Sequence, residues 1–150
     1  MLKSLIEFKN NVKNKMIGIL VITHEDLGDH LIRCASHVVG MKPRQLSYLS
    51  VFTQDDPEVV LAKARKLIEQ LDSGDGVLLV SDMLGATPCN IASRLVQPGK
   101  VECLAGANLP MLVRVITYRN EPLPVVIEKG LSGGQSGVIQ INAKESSHAN

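Results

Sequence analysis

A chain of 150 residues, 45% apolar and 21% charged, has enough material for one packed domain and the balance of an ordinary globular protein. A net charge of +1, no tryptophan, two tyrosines and two phenylalanines exclude charge-driven binding to nucleic acid or anionic lipid and recognition of bases by stacking. Three scattered cysteines, Cys34, Cys89 and Cys103, exclude a disulfide framework and a CxxC zinc site and suit a reducing cytoplasm, while no apolar run reaches the roughly 20 residues of a membrane span.

Residues 1–15 are a basic leader ahead of a second methionine, Met16. They lack the apolar core and cleavage site of a signal peptide and are expected to be a dispensable arm or short helix. From Met16 the chain alternates strand and helix. The run Ile17–Thr23 reads as a buried parallel strand. Leu27, Leu31, Ile32, Ala35, Val38 and Val39 predict a helix with one apolar side, stopped by Gly40. Gln45–Val51 is a second strand. Asp56 and Pro57 are an N-cap and a first-turn proline for a helix on which Val60, Ala64, Leu67, Ile68 and Leu71 recur at helical spacing. Residues 72–76 form a turn, Val77–Ser81 a third strand, and Thr87-Pro88 a second cap-and-proline signal. A fourth strand is expected near Val101–Leu104 and a helix from Asn108 to about Tyr118. The end reads as a helix over Pro124–Leu131, a glycine-rich turn, and a last strand near Val138–Ile141. Cys34 and Cys89 are expected to be buried in their helices, and His30, His37 and His148 to have surface or packing roles.

Four β-α steps of this length predict an α/β fold: a doubly wound, mainly parallel four-stranded sheet with helices on both faces. The C-terminal strand would lie at an edge, of its own sheet or of a partner's. The expected organisation is leader 1–15, one domain over 16–142 and a tail over 143–150.

Open α/β sheets put their chemistry at the carboxyl ends of the strands. Three junctions supply candidates there. The first holds Thr23 and His24, the third Ser81 to Thr87, and the fourth Gly106, Ala107 and Asn108. A neutral imidazole is a good nucleophile. Asp82 ends the third strand as His24 ends the first, so its carboxylate is a candidate to accept a hydrogen bond from one ring nitrogen and leave the other free to attack. The amides of the Gly85-Ala86 turn and of the helix start at Thr87 form an anion site, with Thr23 as a further candidate contact. A single strand-end histidine is commonly just a satisfied polar residue. Its coincidence with Asp82 and the Thr87 helix start points instead to phosphoryl transfer through a phosphohistidine. There is no Walker A loop and no GxGxxG, so no nucleotide cofactor is expected, nor any metal, and the phosphoryl group must come from another protein.

Three stretches in order, MIGILVITH (16–24), SDMLGATPCNIA (81–92) and GANLPML (106–112), resemble the enzyme IIA domain of the mannose-type (mannose–fructose–sorbose) sugar phosphotransferase system. The resemblance covers about residues 16–142. It implies a small α/β domain, usually a homodimer that exchanges its last strand. It implies a cytoplasmic phosphotransferase in which His24 accepts a phosphoryl group from the phosphocarrier HPr, through Nε2, and passes it to a histidine of a separate IIB protein. Asp82 matches the family's orienting aspartate and Thr87 its phosphate-holding Ser/Thr. One departure stands out: Glu25 and Asp26 follow His24 where the family often has glycine, and carboxylates there should raise the energy of a dianionic phosphoryl group. That departure motivates an alternative, a regulatory IIA module whose phosphorylation state controls binding to a kinase or transcription regulator. A flavodoxin-like cofactor binder is disfavoured, because no Ser/Thr-rich loop follows the first strand and no tryptophan is available to stack a flavin.

Overall fold

The computed structural model describes residues 15–41 and 44–143, so the expected leader and tail lie outside it apart from Lys15 and Ala143. The elements are β1 Gly18–His24, α1 Leu27–Val39, β2 Leu46–Val51, α2 Pro57–Leu71, β3 Val77–Ser81, α3 Thr87–Ser93, β4 Val101–Ala105, α4 Leu109–Tyr118 and α5 Leu123–Ser136. The four strands form one sheet in the order β2-β1-β3-β4, with every neighbouring pair parallel. This is the doubly wound α/β architecture expected from the alternation of elements.

Strand parity builds the core. Ile19 and Val21 of β1, with Leu78 and Val80 of β3, face a layer that includes Ala35, Leu112, Val115 and Val126 from α1, α4 and α5. Leu20 and Ile22, with Val77 and Leu79, face Val60, Leu61, Ala64, Ile91 and Ala92 from α2 and α3. Burial on both faces explains why β1 and β3 are continuous apolar runs. Gly18 lets β1 pass close under α2: a Cβ there would lie 2.5 Å from the Leu71 carbonyl oxygen.

Local caps follow the sequence closely in two helices. Asp56 accepts from the Glu58 amide at 3.0 Å ahead of Pro57, and Asn108 accepts from the Met111 amide at 2.9 Å at the start of α4. Elsewhere the structure corrects expectation. Thr87 is the first residue of α3 rather than its cap; Ala86 holds the cap position and no side chain caps the helix. On α1, Leu27 and Val38 are exposed and Cys34 lies on the surface, whereas Cys89 is buried. The apolar stripe of α1 is therefore narrower than its composition suggested.

The largest departure is at the C-terminus. The expected glycine-rich turn is helical, and α5 continues to Ser136. Gly130, Gly133, Gly134 and Gly137 recur at helical spacing and face α4. A Cβ at Gly130 would lie 2.7 Å from Leu104 Cδ1 and 2.8 Å from Val115 Cγ2, and one at Gly134 3.0 Å from Met111 Cε. These glycines serve close helix packing, which outweighs their poor helix propensity. The chain leaves the end of α5 without returning to its own sheet, so residues 138–141 form no strand, and Val138, Ile139 and Ile141 are exposed.

Candidate functional site

In the order β2-β1-β3-β4, the chain winds one way from β1 and the other way from β3. The switch point lies between β1 and β3, where such sheets open a crevice at their carboxyl edge. Ile22 pairs with Ser81, so His24 and Asp82 emerge side by side there. Asp82 Oδ2 accepts the His24 amide at 3.0 Å and meets His24 Nδ1 at 2.8 Å. An ionised carboxylate only accepts, so the Nδ1 contact requires the proton on Nδ1. Nε2 is left as the ring's lone-pair nitrogen, with no protein partner among the described residues.

The pair is asymmetric in exposure. The His24 side chain is 51% exposed and that of Asp82 10%. Burial pushes the Asp82 carboxyl upward, but the His24 amide, the ring N–H and the attraction of the imidazole charge together hold it below the usual carboxylate range. Asp82 is therefore a carboxylate at neutral pH.

Parity directs the two neighbours at the end of β1 to opposite faces. His24 shares its face with Leu20 and Ile22, toward α2 and α3, and lines a cavity of about 420 Å³. Glu25 lines the same cavity, with Phe52, Thr53, Asp55 and Pro57 of the β2–α2 junction opposite. Thr87 and Pro88 close it from the start of α3.

Thr23 points the other way. It is fully buried, and its hydroxyl accepts the Gly28 amide at 2.8 Å and donates to the His24 carbonyl at 3.2 Å. It caps the start of α1 in place of Asp26, whose carboxylate instead accepts the Ser50 hydroxyl at 3.2 Å. Thr23 is thus turned away from the cavity it was expected to help line. Gly85, at φ 84°, makes the turn ahead of α3 and Ala86 precedes the helix, but neither lines the cavity. Asn108, at the fourth junction, is spent on capping α4 and on a 3.0 Å bond from its side-chain amide to the Gly134 carbonyl.

The junction that sequence reasoning passed over is the second. Phe52, Thr53, Asp55 and Pro57 form a wall of the cavity, with Asp55 held in place by the Phe52 amide at 2.8 Å. The signal for it was the parity of His24, which turns its ring toward α2.

The arrangement offers a nucleophilic nitrogen, a carboxylate fixing its tautomer, and Thr87 at the start of α3 across a cavity. The family model described as the PTS system fructose IIA component (EIIA-man) matches residues 18–124. The chain belongs to this mannose-type family of phosphotransferase IIA components. Over 131 residues it is 28% identical to the PTS system mannose-specific EIIAB component of Escherichia coli K12, covering 85% of this chain and 40% of that protein. The same match extends to the protein of that name in Shigella flexneri. The chain thus spans well under half the length of these relatives.

Solved structures share the fold at low identity. The mannose/sorbose-specific IIA subunit from Enterococcus faecalis superposes with a TM-score of 0.75 at 21% identity, over 85% of this chain and 96% of that one. A PTS IIA protein associated with the fucose utilization operon of Streptococcus pneumoniae gives 0.74 at 23% identity, over 88% and 96%. A sigma-54 interaction domain protein from Enterococcus faecalis gives 0.68 at 14% identity, over 83% and 94%. Members of this IIA family are phosphotransferase components of sugar transport. Among the described residues no helix is long and apolar enough to cross a membrane.

Proposed function

We propose that the chain is a phosphoryl carrier that receives phosphate from phospho-HPr on His24 and hands it to a IIB component in the cytoplasm. The observation that carries this reading is the 2.8 Å contact between His24 Nδ1 and Asp82, which leaves Nε2 as the nucleophile. The Nε2 lone pair attacks the phosphorus of the donor phosphohistidine. The donor P–N bond breaks and its electron pair returns to the donor ring. The proton on Nδ1 stays in place, and Asp82 balances the positive charge that the phosphorylated ring acquires. Thr87, which lines the cavity at the start of α3, holds the phosphoryl oxygens through its hydroxyl, while Gly85 and Ala86 shape the turn that places it. Onward transfer is the reverse chemistry with the IIB histidine as acceptor. Incubation with phospho-HPr should add one acid-labile phosphate by mass spectrometry. Equal labelling of wild type and His24→Ala would sink the proposal.

A homodimer is part of this reading. β4 lies at the edge of the sheet, and Val138, Ile139 and Ile141 are exposed on a segment long enough to pair with the β4 of a second copy. Ile139→Asp should convert the dimer to monomer in sedimentation velocity.

Glu25 and Asp26 support a second reading, a regulatory IIA module whose His24 phosphorylation state sets its affinity for a kinase or transcription regulator. Pull-downs with phosphorylated and unphosphorylated protein distinguish the two: identical partner sets count against regulation.

A further inference from the structure

The cavity that His24 lines is also lined by two acidic residues, Glu25 and Asp55, and, among the described residues, by no lysine or arginine. Asp55 has a structural task, because it accepts the Phe52 amide. Glu25 has none: its carboxylate makes no hydrogen bond or ion pair among the described residues. Its backbone stands at φ 47°, in the left-handed region that disfavours every side chain and suits glycine. The conformation is enforced from both sides, by the Glu25 amide donating to the Val51 carbonyl at 3.0 Å and by the Ser50 bond to Asp26. The Glu25 backbone is therefore pinned next to the acceptor histidine at a local penalty, and it carries an exposed carboxylate with no partner among the described residues. Such an outlier points to a role outside stability.

We propose that Glu25 is a specificity-determining residue that selects the phosphoryl donor by charge. It repels small anionic donors and favours a protein donor that brings a cationic side chain alongside its phosphoryl group. The inference rests on His24 being the acceptor. With a small donor such as phosphoramidate, the P–N bond breaks, ammonia leaves with the electron pair, and Nε2 forms the new bond. The donor supplies no cation there, so the Glu25 charge opposes the approaching anion. With a basic protein donor the same charge attracts, and the attraction weakens as salt screens it.

The test compares wild type with Glu25→Gln against two probes, phosphoramidate and phospho-HPr. A single charge contact in a solvated site corresponds to roughly a three- to tenfold change. Labelling by phosphoramidate should rise by that factor. Transfer from phospho-HPr should show KM raised by a similar factor with kcat retained, and a flatter dependence of the rate on salt. Glu25→Gly, which suits the backbone, should reproduce both changes and separates charge from any folding defect. Changes of the same sign with both donors, or no change with either, would overturn donor selection while leaving the phosphocarrier reading intact. A wild-type protein that takes no phosphate on His24 from either donor would overturn both.

Discussion

One oxygen of Asp82 serves two donors of His24, the backbone amide at 3.0 Å and the ring Nδ1 at 2.8 Å. The amide contact ties the carboxylate to the chain it orients, so the ring tautomer is set by backbone geometry as well as by charge. An asparagine at this position has one oxygen, and the His24 amide draws that oxygen inward. Asp82→Asn therefore keeps the geometry and loses the charge, whereas Asp82→Ala loses both. Labelling of His24 by phospho-HPr should fall by about tenfold in Asp82→Asn and by about 100- to 1,000-fold in Asp82→Ala. Equal losses would show that the amide contact does not hold the residue.

The lowered Asp82 carboxyl makes a pH prediction whose sign is set by linkage. A group held lower in the folded than in the unfolded chain stabilises fully above its unfolded value. That contribution is lost as pH falls through the unfolded carboxylate range, about 3.9, and on to the lower folded value. The stability gap between wild type and Asp82→Asn, from urea denaturation, should be present at pH 5, narrow as pH falls through about 4, and close below the folded value of Asp82.

Thr23 and Thr87 should separate stability from transfer. Thr23→Val removes the acceptor for the Gly28 amide and should cost about 1–2 kcal/mol of stability while sparing phosphoryl transfer. Thr87→Val faces the cavity and should slow labelling with little change in stability. A transfer defect in a normally stable Thr23→Val protein would return Thr23 to the phosphate site.

Gly130→Ala distinguishes helix packing from a turn. Alanine gains helix propensity but puts a methyl 2.7 Å from Leu104 Cδ1. Overpacking should win by about 1–2 kcal/mol, read as a drop in Tm.

Thiol reactivity should follow exposure and burial. Cys34 is on the surface, Cys89 is buried, and burial pushes the Cys103 thiol up to about 12. At pH 8 the folded protein should show one fast-reacting thiol with Ellman's reagent, and Cys34→Ser should abolish it.

The parts of this molecule legible in its sequence are those set locally. Burial on both faces leaves β1 and β3 as unbroken apolar runs, and Asp56-Pro57 and Asn108 mark helix starts within a turn of the groups they cap. What was missed depends on distant neighbours. The glycines of α5 look like a turn until Pro110, Met111 and Arg114 are seen against them. Thr23 and His24 are adjacent in the chain, yet strand parity sends one under α1 and the other toward α2. Asp82 was found because both strand ends reach one sheet edge, whereas the β2–α2 wall needed the side to which His24 turns.

The account's central claim is most directly tested by two-dimensional 1H–15N NMR of the imidazoles after reaction with phospho-HPr. It predicts a phosphoryl group on Nε2 of His24, with the proton still on Nδ1 and the Asp82 bond intact. Phosphate on Nδ1, on another histidine, or on none would contradict it.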